Sequence, residues 1–259
     1  MSFFELNDLT TGYADKHGAK AISSHLNAQL QQGKLTCMLG PNGAGKSTLL
    51  RTMAAFQPAL EGQIIVDDKP LATYTMQQLA QKISIVLTDS PKNMNMTVEE
   101  VVSLGRSPYT GFWGKMHEAD WKAVNDSLKL IGIEDFRYRR LSSLSDGERQ
   151  KVMIAKSITQ GTPLIFLDEP TAFLDYPSKV EVLQLLRRLA AEEQKTIFLS
   201  THDVELALQL ADRLWLMDTD GLSVGTPHEL SAQGALSRFI ERPGITFDTA
   251  TLQIRVKTV

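Results

Sequence analysis

Eight consecutive residues, Gly40-Pro41-Asn42-Gly43-Ala44-Gly45-Lys46-Ser47, have the types and spacing to hold a polyphosphate. They fit G-x-x-x-x-G-K-[ST], the pattern of a phosphate-binding loop. The glycines let the backbone wrap an anion, so that successive N–H groups and the N-terminus of a following helix point at it. Lys46 adds a positive charge on the β- and γ-phosphates, and the Ser47 hydroxyl is a natural Mg²⁺ ligand. Thr48 carries this phosphate-facing run into the helix. A Gly-rich turn is the plainer alternative, but the full match predicts binding of a nucleoside triphosphate such as ATP. Farther on, Leu164-Ile165-Phe166-Leu167 ends in two carboxylates, Asp168 and Glu169. Asp168 suits Mg²⁺ held through water, and Glu169 suits a base that polarises the water attacking a γ-phosphate. Alone, the pair is equally two acids closing a strand before a turn at Pro170; the upstream loop favours chemistry.

These groups need supports that fix them. Leu35–Leu39 is a short apolar run that predicts a buried strand feeding the loop, and 47–53 reads as the first turns of a helix. Further strands are predicted at Phe3–Leu9, Gln63–Val66, Ile83–Leu87, Leu164–Leu167, Thr196–Ser200 and Leu214–Met217. Helical patterns occupy Lys46–Ala55, Met76–Gln81, Thr97–Leu104, Glu118–Ile131, Asp146–Thr159, Ser178–Glu192 and Asp203–Ala211. Strands alternating with helices imply an α/β chain with a mainly parallel sheet covered on both faces. Acids at the end of an apolar strand then emerge at the carboxyl edge, where such sheets bind ligands. Residues 91–159 break the rhythm and read as a helical subdomain inserted in one domain spanning 1–259. Thr97 and Glu100, like Ser145 and Glu148, have capping-box spacing at a helix start. Residues 251–259 alternate weakly and read as a terminal strand.

Composition excludes several classes. A net charge of −3 is no broad basic surface for nucleic acid. No apolar run is long enough to span a bilayer, and the first residues carry no secretory pattern. The one cysteine, Cys37, reads as a small buried hydrophobe, in keeping with a reducing compartment.

Leu144-Ser145-Asp146-Gly147-Glu148-Arg149-Gln150 lies just before the acid-bearing strand. Here the chain resembles the nucleotide-binding subunits of ATP-binding cassette (ABC) transporters, whose signature is Leu-Ser-Gly-Gly-Gln. The departure is Leu-Ser-Asp-Gly-Glu, with Ser145, Asp146, Gly147 and Glu148 as the signature residues. A capped helix start at Ser145 is compatible with that role, since such an end is itself an anion site. The resemblance implies the phosphate-loop NTPase fold of ABC ATPases, with a mainly parallel core, an inserted helical subdomain and an N-terminal antiparallel portion. It also implies roles for four further positions. Tyr13 matches the aromatic on which adenine stacks, against an exposed turn tyrosine as the alternative. Asp175, in Ala172-Phe173-Leu174-Asp175, matches the loop linking the two sites of a dimer, or else is an ordinary helix cap. His202, after Thr196–Thr201, matches the γ-phosphate-sensing histidine. Thr88 stands where the family has a glutamine; its hydroxyl is a shorter Mg²⁺ or water ligand, and Asp89 is a substitute ligand or a surface acid.

Subunits of this family pair head to tail, so the resemblance implies a homodimer in which Ser145 and Gly147 of one copy meet the γ-phosphate held at Lys46 of the other. ATP and Mg²⁺ are the implied cofactors. An integral-membrane permease, and indirectly a substrate-binding protein, are the implied partners, at the cytoplasmic face of the inner or plasma membrane. Leu104-Gly105-Arg106-Ser107-Pro108-Tyr109 resembles a segment of importer ATPases for ferric siderophores, haem and vitamin B12; a helix end with a Pro turn is its alternative. Met94, Met96, Phe112 and Trp113 are candidates for a permease-docking groove or a local core. The competing class is an ABC ATPase acting on DNA or ribosomes. It is disfavoured because no long coiled coil separates Ser47 from Asp168 and the chain carries one set of motifs.

Overall fold

The computed structural model describes residues 3–15, 18–88, 95–111, 113–218 and 221–257. In chain order they form β1 (Phe4–Asp15), β2 (Gly18–Leu30), β3 (Leu35–Leu39), α1 (Lys46–Met53), β4 (Glu61–Val66) and β5 (Lys69–Pro70). Next come α2 (Met76–Ala80), β6 (Ile83–Val86), α3 (Val98–Ser103), α4 (Glu118–Ile131), α5 (Asp146–Thr159), β7 (Leu164–Asp168) and α6 (Tyr176–Glu192). The chain ends through β8 (Thr196–Ser200), α7 (Val204–Leu210), β9 (Arg213–Asp218), β10 (Gly221–Gly225), α8 (Pro227–Ala232), α9 (Ala235–Ile240), β11 (Ile245–Asp248) and β12 (Gln253–Val256). Contacts divide it into two compact units, Met1–Thr73 with Leu186–Val259, and Tyr74–Leu185; the division falls within α6.

In the first unit, β2-β1-β4-β5 make an antiparallel sheet with Phe4 opposite both Leu30 and Val66. A second run, β10-β9-β3-β8, is antiparallel only at the β10/β9 pair. Every residue of β3 and of β8 is buried, which is why both read as unbroken apolar strands rather than alternating ones. They run side by side, Cys37 opposite Leu199 and Met38 opposite Ser200, and the Thr201 N–H donates to the Met38 carbonyl at 3.0 Å. Whatever leaves the carboxyl end of β3 therefore sits beside whatever leaves β8. Trp215 on β9 meets the Phe198 ring edge-on at 4.8 Å. Cys37 is buried as expected, and that burial pushes its thiol pKa well above the ordinary range. The weak alternation after 251 resolves into β12, which pairs β11 with Ile245 opposite Val256.

In the second unit β6 and β7 are parallel, from Ile83 opposite Leu164 to Val86 opposite Leu167. Between them the described residues form helices joined by turns, with the Thr97–Arg140 bridge as an isolated β-pairing. Val98, Val101 and Val102 of α3, Val124, Leu128 and Ile131 of α4, and Val152 and Ala155 of α5 are all buried. The Leu104–Tyr109 segment braces this group. A Cβ on Gly105 would lie 2.4 Å from the Lys156 carbonyl oxygen, so only glycine permits that approach. Arg106 Nε donates to Asp120 at 2.8 Å and its Nη1 to the Thr159 carbonyl at 3.1 Å, with the guanidinium 3.9 Å from the Tyr109 ring centroid. The Tyr109 hydroxyl donates to the Gln160 carbonyl at 3.0 Å. The His117 N–H and then Arg106 hold the Asp120 carboxyl below its usual range.

Strand β2 is absent from the sequence expectation, and β1 runs on to Asp15 rather than ending near Leu9. Most of β2 is exposed, with Leu26 and Leu30 as its buried residues, so it presents almost no apolar pattern to read. Its pairing with β1, not its composition, makes it a strand.

Candidate functional site

The phosphate loop leaves β3 and enters α1 through Gly45, whose φ of 96° lies in the left-handed region. A Cβ there would also meet the Ile22 methyl at 2.6 Å, so this position demands glycine twice over. No side chain caps α1 and no acid occupies its first turn, which leaves this end of the helix to an anion. Lys46 is buried and folds over the loop, its Nζ donating to the carbonyls of Gly40 at 2.8 Å and Pro41 at 3.1 Å. The ammonium is thus fixed over the curve that Gly40–Gly45 would wrap around phosphate.

His202 follows β8, and the adjacency of β3 and β8 brings it to the loop. His202, Thr201, Gly40 and Pro41 line one cleft of about 420 Å³ in the first unit. A second cleft, of about 490 Å³, opens on Pro41 to Ala44 and is bounded by Ile22, Ser23 and Met217. Tyr13, on β1 of the same unit, is half exposed and shares a hydrogen bond of 2.9 Å with the Thr48 hydroxyl. That bond ties the ring to the start of α1 while about half of the residue stays exposed.

In the second unit Asp168, the last residue of β7, is buried. Glu169 follows at φ 48°, a left-handed conformation that costs a residue with a side chain about 1–3 kcal/mol. The Glu169 carbonyl accepts the Ala172 N–H at 3.1 Å, closing the turn that follows. Thr88, two residues beyond the last β6/β7 ladder pair, donates its hydroxyl proton to the Asp168 carbonyl at 2.8 Å. Asp89 lies outside the described residues.

The donors offered for Mg²⁺, a Ser47 hydroxyl and an Asp168 carboxylate, are oxygens and suit that hard cation. Among the described residues no group of three or more His, Cys, Asp or Glu makes a self-contained metal site.

At the signature segment Ser145 caps α5. Its oxygen accepts the Glu148 N–H at 3.2 Å while Glu148 accepts the Ser145 N–H at 2.7 Å, so the expected capping box is present. Ser145 keeps its hydroxyl proton to donate. The Ser145 N–H holds the Glu148 carboxyl below its ordinary range, with Arg139 adding to the effect. Two arginines that the sequence reading assigned no role offset the acids here. Arg139 lies 3.3 Å from Glu148, and Arg149 pairs with Asp146. Arg149 lies three residues after Asp146 on α5, a spacing the sequence does carry, whereas the Arg139–Glu148 pair links α5 to the segment before it and has no such signal. A Cβ on Gly147 would stand in ordinary contact with Leu174 and Ser178, so its freedom is not needed for packing.

Asp175 accepts the Ser178 N–H at 3.1 Å and caps the start of α6, so the ordinary capping arrangement holds. The Ser178 hydroxyl, then its N–H, hold the Asp175 carboxyl low. Of the docking candidates, Trp113 is 89% exposed and so belongs to no local core, and Met96 is half-buried. Met94 and Phe112 lie outside the described residues.

Comparison with known proteins matches residues 23–172 to the ABC transporter family model. Over 210 residues the chain is 38% identical to an uncharacterized ABC transporter ATP-binding protein of Methanocaldococcus jannaschii, covering 81% of this chain and 71% of that one. It is 35% identical to the petrobactin import ATP-binding protein FpuC of Bacillus anthracis, over 83% and 79% of the two chains. It is also 35% identical to the hemin import ATP-binding protein HmuV of Streptomyces coelicolor, over 87% and 80%. Among solved structures, cbiO1 of Clostridium perfringens, part of the transporter complex cbiONQ, superposes with a TM-score of 0.79 at 28% identity, over 92% and 93%. A dimeric ATP-binding cassette bound to ADP and phosphate superposes with a TM-score of 0.73 at 25% identity, over 86% and 98%. None of these proteins is named for action on nucleic acid or ribosomes.

Proposed function

Because this chain belongs to the ABC transporter family of ATP-binding proteins, we propose that it is the ATPase subunit driving import of an iron complex or vitamin B12. A ferric siderophore or haem is the favoured cargo. Relatives named for petrobactin and hemin import support that choice. The observation that carries the ATPase chemistry is the cleft shared by the phosphate loop and His202 at the carboxyl ends of two adjacent, fully buried strands.

Gly40 to Thr48 bind the phosphates through backbone N–H groups and Lys46, and adenine stacks on Tyr13. Ser47 and Asp168 are the residues that would hold Mg²⁺, and the ion would supply neutralisation of phosphate charge. Glu169 accepts a proton from the attacking water as its oxygen bonds to γ-phosphorus and the bridging oxygen leaves with ADP. His202 fixes the γ-phosphate. A second copy of the chain closes head to tail and presents Ser145 and Gly147, each flanked by an acid that an arginine offsets. Asp175 links the two sites. A separate permease takes up the motion, a reading that relatives named as import ATP-binding proteins support; among the described residues no helix is long and apolar enough to cross a membrane. The helical segment bearing exposed Trp113 is the contact surface, at the cytoplasmic face of that membrane.

Glu169→Gln is expected to keep ATP binding, lower turnover by about 10²-fold or more, and accumulate closed dimers. Retrieved with ATP from detergent-solubilised native membranes, that variant should bring down a polytopic permease whose presence raises ATPase activity with a ferric siderophore or haem. Recovery of ribosomal or DNA-bound proteins alone sinks the transport reading, and near-normal turnover removes Glu169 as the base.

A further inference from the structure

Thr88 stands in the position where the family carries a glutamine, and its side chain is already committed. The hydroxyl donates at 2.8 Å to the backbone carbonyl of Asp168, in a half-buried position within the second unit. That carbonyl belongs to the peptide joining Asp168 to Glu169, and Glu169 is held at φ 48° immediately after it. Turning this peptide back toward extended backbone would swing the carbonyl away from Thr88. On the other side the Glu169 carbonyl is fixed by the Ala172 N–H at 3.1 Å. Both peptide planes flanking Glu169 are therefore pinned, one by the turn and one by a side chain from the neighbouring strand's extension. Beyond the Val86–Leu167 pair the β6/β7 ladder has ended, so the hydroxyl supplies the tie that a ladder bond would otherwise make.

We propose that Thr88 is a positioning residue for Glu169: it sets the peptide that aims the carboxylate at the attacking water, rather than ligating Mg²⁺ as the residue at this position was expected to. The inference rests on the reading of Glu169 as the base. A hydroxyl that donates to the carbonyl still has acceptor capacity, so the two roles are separated by the losses they predict: ligation by a loss that added Mg²⁺ reverses, positioning by one that it does not.

The test compares Thr88→Val, Thr88→Ala and Thr88→Ser in the full chain, with melting temperature and nucleotide affinity as checks on folding. Thr88→Val, nearly the same shape without the hydroxyl, should lower kcat by about tenfold to a hundredfold through misdirection of the base, with KM for ATP and the half-saturating Mg²⁺ concentration within about twofold. Thr88→Ala should match it, and serves if the valine chain does not fold. Thr88→Ser restores the donor and should recover most of the turnover. In the Glu169→Gln background, Thr88→Val should change the residual single-turnover rate by less than about twofold, because a residue acting through Glu169 has nothing left to position. Unchanged kcat in both hydroxyl-free variants overturns the proposal. So does a loss that high Mg²⁺ reverses, which would make Thr88 a ligand. A full further loss on top of Glu169→Gln also overturns it. Failure of the base reading is distinct: Glu169→Gln alone would then turn over normally.

Discussion

Helices α1 and α5 both present N-terminal ends to ATP in the proposed mechanism, yet they are built oppositely. The α1 end has a left-handed glycine, no side-chain cap and no acid, and a buried lysine curls over the loop before it. The α5 end has a serine cap, a reciprocal glutamate and a second acid in its first turn, each acid offset by an arginine. An end with no side-chain cap, no acid in its first turn and a cation beside it can recruit phosphate on its own. At the α5 start the Glu148 N–H answers to Ser145 and the Ser145 N–H to Glu148, with two acids in the first turn, so this end suits donation of the Ser145 hydroxyl proton to a phosphate held elsewhere. The contrast assigns α1 to binding and α5 to recognising what is bound.

Three substitutions break or sharpen that contrast. Lys46→Ala should weaken ATP binding by about 3 kcal/mol, on the order of 100-fold, by removing a charged donor from the phosphates. Titration with a fluorescent nucleotide checks it, and unchanged affinity would remove α1 as the recruiting end. Ser145→Ala should leave ATP affinity of the isolated subunit within about twofold but depress turnover, and should cost about 1 kcal/mol of stability through the lost cap. A drop in single-subunit affinity equal to that of Lys46→Ala would erase the distinction. Glu148→Gln is the mildest, worth a few tenths of a kcal/mol at neutral pH, and its signature is in the pH dependence. The Glu148 carboxyl titrates below its unfolded value near 4.3, so its contribution is fully present above that value and is lost as pH falls through the lower folded one. Thermal melts between about pH 3 and 6 should show a shallower acid limb for Glu148→Gln than for the native chain.

The same contrast separates what could be read along the chain from what could not. Strands β3 and β8 match expectation residue for residue because each is apolar throughout and wholly buried, and α4 and α5 do so because their first turns carry capping acids. The phosphate loop was legible because its function is backbone geometry, which glycine spacing encodes. Strand β2 was not legible, since two buried leucines in thirteen residues set no period. Helix α8 had a readable start that went unused: Thr226 and Glu229 form a capping box with Pro227 in the first turn. The partners of Arg139 and of the Thr88 hydroxyl became visible only as neighbours in space, whereas the Asp146–Arg149 pair has a helical spacing that went unread. The Leu104–Tyr109 segment drew notice as a family likeness, whereas the structure gives it a physical task, bracing α4 against the end of α5.

Burial of Cys37 has a practical consequence. The chain's one thiol sits within a strand with no exposure to speak of and stays protonated at neutral pH. Toward maleimide dyes and nitroxide spin labels, the native protein should act as though it had no cysteine. A single cysteine introduced on an exposed face beside α1 and another beside α5 would then be the only sites labelled, giving an inter-subunit ruler without first stripping the core strand of its native residue.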